Sequence, residues 1–392
     1  MGGHFWEKKN WEHEDLHLLK LQNMPFNRVF PDLKVQPGIH VIRGPRQVGK
    51  SSFLKTILSK CTREKRSCYF QSCETIASYQ ELTELLLSLK EREIIFLDEI
   101  SFIPEWSRAV KHVVDSGSQQ VFIITGSNAN DLRKGIDLMP GRWGEGGEIE
   151  LLPMDFNEFV QMRKQAKYQK LLRVEELELY FKVGGFPSAL AESGNSGKAP
   201  LKAMKTYLQW IKGDLVKLGK IETYAKELLG QIAKTTGSTI SMQTLAAKTQ
   251  MGSHHTAQEY VQILETCFAL RTLYAIDLEE ENFKFRKEKK LYFTDPLIYW
   301  IAHEWCGLKP PANATEKIAE MVAHEALARK FKRFGYFSNK KGEVDFVFPK
   351  SWAIEVKWAD AALNLSKTYL DLKIPSKAVW TKSNFLIDWP RD

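Results

Sequence analysis

The run Gly44-Pro-Arg-Gln-Val-Gly-Lys-Ser51 constrains this chain more than any other stretch. It follows directly on the apolar Ile39-His-Val-Ile-Arg43 and leads into SFLKTILSK, whose apolar residues recur at helical spacing. Strand, glycine-bracketed loop and helix in that order make a phosphate loop, which confines this part of the chain to a parallel α/β fold. The two glycines let the main chain curl until its N–H groups face phosphate oxygens. Lys50 adds an ammonium near the β/γ-phosphates, and the Ser51 hydroxyl is placed to hold Mg²⁺. The helix that begins here turns its positive end toward the same phosphates. Gly44, Gln47, Val48, Gly49, Lys50, Ser51 and Ser52 are the expected nucleotide contacts, with ATP and Mg²⁺ the implied cofactors.

A sheet of this kind needs further strands. Ile39–Arg43, Cys68–Gln71, Ile94–Leu97, Val121–Thr125 and Ile149–Leu152 supply them, separated by stretches long enough to cross over, so residues 1–152 read as one P-loop domain. Ile94-Ile-Phe-Leu-Asp98-Glu99 is a buried strand ending in two carboxylates. Asp98 is expected to hold the metal through its water shell, and Glu99 to orient and deprotonate the attacking water, which implies hydrolysis and not storage. The strand Val121–Thr125 leads into Gly-Ser127-Asn128, where Ser127 or Asn128 could sense the γ-phosphate or simply form a turn. Arg142 is either a stabiliser of transferred charge or an ordinary surface residue.

At 392 residues the chain is too long for one core, and two or three domains are expected. A formal net charge of +8 fits either a polyanionic partner or a solvated basic surface. The cysteines Cys61, Cys68, Cys73, Cys267 and Cys306 form no CxxC pair and no zinc spacing, which points to a reducing cytoplasm and away from a disulfide framework. The start, MGGHFWEKKNWEHED, has no apolar segment of the signal-peptide kind, and no run reaches the length of a membrane span. A soluble, cytoplasmic protein with no membrane partner is expected.

From Pro153 the chain turns helical, punctuated by GGFPSAL and SGNSGKAP, and residues 153–224 read as a helical lid or connector. Residues 225–275 give three helices, AKELLGQIAKTTG, SMQTLAAKTQ and SHHTAQEYVQILETC. Ser241 and Ser253 are placed as N-caps. This is a helix-turn-helix arrangement, and FALRTLYAI and KKLYFT could form a wing, giving a winged-helix domain over 225–306. On DNA, His254, His255 and Gln258 would face the groove while Arg286, Lys287, Lys289 and Lys290 meet phosphates. The alternative is a winged helix that serves only as a lid.

The linker GLKPPANAT opens a segment over 307–392. In Gly342-Glu-Val-Asp345-Phe-Val-Phe-Pro-Lys-Ser-Trp-Ala-Ile-Glu355-Val-Lys357-Trp358, both halves alternate in period two. Glu343, Asp345, Glu355 and Lys357 therefore share one face. A turn at Pro349-Lys-Ser351 sets Asp345 across from Glu355, where like charges repel unless a metal lies between them. Lys357 then sits where an ammonium could position a water or balance a phosphorane. A third acid could come from TEKIAEMVAHEALARKF, in which Ile318, Val322 and Glu325 lie on one stripe. Glu325, Asp345 and Glu355 are thus the expected ligands of Mg²⁺ or Mn²⁺. Arg329, Lys330, Lys332, Arg333, Lys340 and Lys341 offer a basic surface nearby. Acid on a helix, Asp on a strand and Glu-x-Lys on the next is the pattern of PD-(D/E)XK nucleases, although valine and not proline precedes Asp345. The bland alternative is a charged solvent face.

Taken in order, GPRQVGKS, FLDEISFIPEWSRAVK, ITGSN, LMPGR, LLPMDFNEFV, GGFPSAL, YVQILETCFALRTLYA and KLYFTDPLIYW resemble archaeal and bacterial AAA-type ATPases that carry a C-terminal domain similar to restriction nucleases. The resemblance implies a parallel AAA-type core, a winged-helix middle and a C-terminal α/β nuclease-like domain. It supports Lys50, Ser51, Asp98 and Glu99 in the roles given above. The expected function is an ATP-hydrolysing protein acting on DNA through a metal-dependent nuclease-like domain. The alternative is an ATP-driven switch or scaffold whose nuclease-like domain binds a protein partner or DNA without cutting. A homo-oligomer is left open.

Overall fold

The computed structural model describes residues 5–126, 129–359, 364–387 and 389. Ser127 and Asn128, the expected γ-phosphate sensors, lie outside the described residues. The chain divides into two compact units, Met1–Pro153 with Met162–Lys167, and Met154–Gln161 with Tyr168–Asp392.

In the first unit β1 (Gly38–Arg43), β2 (Cys68–Ser72), β3 (Ile94–Asp98), β4 (Val121–Thr125) and β5 (Gly147–Glu150) form a sheet ordered β2-β3-β4-β1-β5, with every pair parallel. β3 and β4 are buried at every position, as strands covered on both faces must be. The helices are α1 (Leu16–Gln22), α2 (Lys50–Arg63), α3 (Tyr79–Ser88), α4 (Trp106–Asp115) and α5 (Ala129–Asp137). Period-two alternation sends Ile95, Leu97, Phe122 and Ile124 against Leu82, Leu86, Trp106 and Val110 of α3 and α4. Ile94, Phe96, Val121 and Ile123 face the other way, against Phe53, Leu54 and Leu58 of α2.

The amino-terminal segment extends that second face. Trp6, Trp11 and Leu18 join its core, and Trp6 Nε1 donates to the Cys68 carbonyl at 3.2 Å. Asp15 caps α1 and pairs with Lys55 of α2 at 2.5 Å. The expected fifth strand, Ile149–Leu152, lies about one turn of the pleat too late. Pairing with β1 ends at Arg43↔Glu150, because beyond Arg43 the main chain leaves the sheet to form the loop.

The second unit begins with Met154–Gln161, which runs into α6 (Phe156–Gln165), and continues through α7 (Arg173–Val183), α8 (Pro187–Ser193), α9 (Leu201–Lys217) and α10 (Glu222–Thr235). β6 (Thr239–Ile240), α11 (Met242–Ala247), α12 (His254–Thr266), β7 (Leu270–Tyr274) and β8 (Lys289–Phe293) follow. The three strands form an antiparallel sheet ordered β6-β8-β7. Ser241 and Ser253 accept the N–H groups of Thr244 and Thr256, starting α11 and α12.

After α13 (Pro296–Cys306) come α14 (Ala314–Lys330), β9 (Gly335–Asn339), β10 (Gly342–Phe348), β11 (Trp352–Val356), α15 (Lys367–Asp371) and β12 (Ser376–Trp380). Their sheet is ordered β12-β11-β10-β9. β9, β10 and β11 are an antiparallel meander and β12 is parallel to β11. Of the segments 153–224, 225–306 and 307–392, all but Pro153 and Met162–Lys167 lie in this one unit.

The GGFP motif has a steric reason. A Cβ on Gly185 would stand 2.0 Å from the Met154 carbonyl oxygen, and one on Gly184 (φ +79°) 2.2 Å from Asp295 Oδ1. Among the described residues no helix is long and apolar enough to cross a membrane.

Candidate functional site

The loop between β1 and α2 is held open by three residues with positive φ, Gly44 (+155°), Gln47 (+59°) and Gly49 (+105°). Gly44 lies so near the chain leaving β5 that a Cβ would meet the Leu151 carbonyl oxygen at 2.0 Å. Lys50 is buried, and its ammonium reaches back into the loop to the carbonyls of Gly44 at 3.0 Å and Pro45 at 2.9 Å. Val48 is fully buried, while Ser51 and Ser52 are half-buried on the first turn of α2. The N–H groups of that turn have no partner further back in the helix, so they are the donors a phosphate meets.

Sheet order decides what stands beside Ser51. Because β4 lies between β1 and β3, Thr125 at its end reaches Asp98 at the end of β3. Ser51 Oγ donates to the same Asp98 oxygen at 3.1 Å. Burial is the main force on Asp98 and raises its pKa; the neighbouring Glu99 adds to this, and the two hydroxyls oppose it. Hydroxyl and carboxylate are hard oxygen donors of the kind Mg²⁺ takes, so these residues fit that ion. Glu99, at φ +57°, turns away from the strand, and its N–H donates to Thr125 Oγ1 at 3.2 Å. A non-glycine residue held there is strained, a feature concentrated at functional sites.

Arg142 does not join this group. It pairs with Asp115 at the end of α4, through Nε–Oδ1 at 2.6 Å, and Gly144 bridges Gly38 at the start of β1. Arg142 therefore sits at the amino-terminal edge of the sheet, the full length of β1 away from the loop. The residue that does support the loop is Arg28. It donates to the carbonyls of Val48 at 2.8 Å and Leu152 at 2.5 Å. Nearby, Phe30 stacks on Phe53 with centroids 5.0 Å apart. No spacing around Arg28 marks it in the sequence; only the aromatic-rich amino terminus hints that this segment packs.

The second unit has its own cluster. The β10–β11 hairpin turns at Pro349–Ser351 with Phe346↔Ile354 paired, and one further step sets Asp345 opposite Glu355. Asp345 Oδ2 accepts the Val356 N–H at 3.0 Å, and Lys357 Nζ lies 3.0 Å from Glu355 Oε2. Asp345, Lys357 and Glu320 line a cavity of about 340 Å³, along with Glu316, Lys317 and Trp358. Glu355 is only 2% exposed, and its Oε1 is a buried acceptor without a hydrogen-bond partner. Burial first and Asp345 second push its carboxyl up to about 7. Burial opposes the charge on Lys357, but Asp345 and Glu355 prevail and raise its pKa.

Two expectations need correction here. Glu325 points elsewhere: it binds Arg271 at 2.7 Å and Arg329 at 3.0 Å. α14 is buried on most of its circumference, so an apolar stripe could not select the right acid. The helix acid beside Asp345 is Glu320, whose carboxyl is pushed up to about 7, chiefly by burial and then by Asp345. The second correction concerns Lys290, which meets no solvent. It is 0% exposed, and its ammonium lies 2.8 Å from Glu320, 2.7 Å from Glu343 and 3.2 Å from Asp345.

Among the described residues no group of three or more acidic, histidine or cysteine side chains is arranged to hold a metal, so the set Glu325, Asp345 and Glu355 is not assembled. Asp345 and Glu355 still offer two carboxylates, which suffices for Mg²⁺ or Mn²⁺ completed by water, and the orphaned Glu355 oxygen fits such an ion. The basic surface is also partly spent. Arg329 pairs with Glu325, Lys341 with Asp371 at 2.8 Å, and Arg333 with the Glu281 carbonyl.

Against known proteins, residues 36–160 match a family described as AAA domain, and residues 174–303 match a domain of unknown function, DUF8612. An uncharacterized protein of Methanocaldococcus jannaschii is 31% identical over 184 residues, 44% of this chain and 41% of that protein. The chain thus matches about two-fifths of that relative's length.

Among solved structures, a Walker-type ATPase of Pyrococcus abyssi is similar with 16% identity and a TM-score of 0.48, covering 76% of this chain and 95% of that one. The ORC2 protein of Aeropyrum pernix, in ADPNP and ADP complexes, gives 13%, 0.38, 69% and 88%. The RuvB Holliday junction branch migration motor of Thermotoga maritima gives 15%, 0.33, 61% and 82%. The phosphate loop, the acids that end β3 and the AAA family match fall together, and residues 36–160 are a P-loop ATPase domain of the AAA type.

Proposed function

We propose that this chain is an ATP-driven protein acting on DNA, in which Mg²⁺-dependent hydrolysis at the P-loop domain serves a winged helix and a PD-(D/E)XK nuclease-like domain in the second unit. At the ATPase site, loop N–H groups and Lys50 hold the β- and γ-phosphates, and Ser51 and Asp98 hold Mg²⁺. The ion neutralises charge between the phosphates when bound. Glu99 takes the proton of the attacking water.

For the second unit, the order α10, β6, α11, α12, β7, β8, with β8 between the other two strands, supports a winged helix. His255 and Gln258 on α12, and Arg286 and Lys287 between β7 and β8, are exposed and available to a duplex. The order α14, β9, β10, β11, α15, β12 supports a restriction-nuclease-like core. One observation carries the nuclease reading above a charged solvent face: Glu355 is buried with an unpartnered oxygen beside Asp345 and Lys357. In this reading Asp345 and Glu355 would hold a divalent ion, which would supply Lewis-acid polarisation of a phosphate and a water. Lys357 holds that water and meets the charge that develops.

The test is cleavage of single-stranded, duplex and branched DNA by the full chain with Mg²⁺ or Mn²⁺, with and without ATP. Asp345→Ala and Lys357→Ala should abolish cutting; unchanged cutting in both would remove the assignment. A second reading, a non-cutting switch that binds DNA or a protein, is favoured by the Lys290 ammonium among three carboxylates. It predicts DNA retention or a co-purifying protein with no cleavage in wild type.

A further inference from the structure

Lys290 belongs to β8, whereas the carboxylates it touches come from α14 and β10 of the neighbouring sheet. An ammonium taken wholly out of water costs several kcal/mol unless its surroundings replace the lost hydration. Here they do so completely: three N–H donors meet Glu320, Glu343 and Asp345 at 2.8, 2.7 and 3.2 Å. Burial works against this charge, yet the carboxylates hold the lysine well above its usual range. Tyr292 adds a donor to the same Glu320 oxygen at 2.6 Å.

Asp345 is divided between two neighbours. Oδ1 faces Lys290, and Oδ2 accepts the Val356 N–H next to Glu355. On the Glu355 side an acceptor is buried without a partner; on the Lys290 side three carboxylates converge on a cation supplied by the chain itself. Fully ionised, the four carboxylates Glu320, Glu343, Asp345 and Glu355 outweigh Lys290 and Lys357 by two charges. One divalent ion balances that excess, and a second would overshoot it.

We propose that Lys290 stands in place of a second metal ion, so that the carboxylate site takes a single divalent cation, seated between Asp345 and Glu355. Lys290 is then a positioning residue: it orients Asp345 and Glu320 and excludes a second ion. The proposal rests on the metal-dependent reading of this site. It adds that the site is incomplete without a residue of the adjoining β8 strand.

The experiment is Mn²⁺ titration of the nucleotide-free full chain, followed by electron paramagnetic resonance and calorimetry. The count for this site is the difference from Glu355→Gln. Wild type should bind one such Mn²⁺, with the spectrum of an isolated ion, and folded Lys290→Met should bind one more. If no Mn²⁺ depends on Glu355, the metal reading of the site is lost and this proposal with it. If Lys290→Met is folded and binds the same number as wild type, only the role given to Lys290 is lost. Should that variant fail to fold, the wild-type spectrum decides, because a magnetically coupled Mn²⁺ pair in it overturns the proposal and a single ion supports it.

Discussion

Gly185 donates its N–H to Asp295 Oδ2 over 2.8 Å, joining two segments 110 residues apart. The other oxygen of Asp295 caps α13 by accepting the Leu297 N–H at 2.8 Å. Burial pushes the Asp295 carboxyl up to about 7, although both N–H groups oppose the shift. A carboxyl raised on folding contributes stability that is whole below its unfolded value, about 3.9. That contribution is lost as pH rises through the folded value. The second unit should therefore lose stability between about pH 4 and 7, at up to about 1.4 kcal/mol per pH unit for each such proton, and level off above that. Glu320 and Glu355 titrate in the same range, so Asp295→Asn should flatten this slope without abolishing it. Urea midpoints at pH 5, 6, 7 and 8 check the point; parallel curves for variant and wild type contradict it.

The two halves of the ATPase site should fail differently. Lys50→Ala removes a charge-assisted contact to phosphate and is expected to weaken Mg·ATP binding by about 1.5–3 kcal/mol, roughly 10- to 150-fold. Glu99→Gln keeps shape and binding but lacks the base, and should slow hydrolysis by about 10²–10⁴. Calorimetric titration and phosphate release separate the two effects.

Arg28 offers a less obvious target. Arg28→Ala leaves the Val48 and Leu152 carbonyls without their donor. A loss of about 1–3 kcal/mol in stability of the first unit is expected, with weaker nucleotide binding because Val48 belongs to the loop. Arg28→Lys, which cannot reach both carbonyls with a planar fork, should recover only part of it. Thermal melts with and without ATP report both quantities.

Arg142→Ala should leave ATP turnover of dilute protein unchanged, since its guanidinium is engaged by Asp115 at the far edge of the sheet. A loss of turnover that grows with protein concentration would instead place Arg142 at a neighbouring subunit's nucleotide.

The first unit was readable because its signals are local. A phosphate loop must follow a strand and open a helix, and β3 and β4 are apolar throughout because both of their faces are covered. Strand order was not readable, since nothing in VFIIT says that it lies between β1, which leads into the phosphate loop, and β3, which carries Asp98. The β10–β11 hairpin register followed from period two and a three-residue turn. Glu320 and Lys290 were hidden for different reasons. α14 is buried on most of its circumference, so helical spacing could not single out an acid. Lys289 and Lys290 look like one basic pair in the sequence, but neighbouring residues of a strand face opposite ways. Lys289 remains partly exposed beside Tyr274 while Lys290 turns into the carboxylates. Arg28 acts on main-chain carbonyls, which have no sequence signature.

The Thr125 hydroxyl gives its proton to Asp98 and receives the one from the Glu99 amide. The two acids are thereby geared through a single oxygen on the neighbouring strand β4. Any displacement of the end of β4 re-aims Asp98 and Glu99 together, so under the roles proposed for them one middle strand would set both ion placement and water activation.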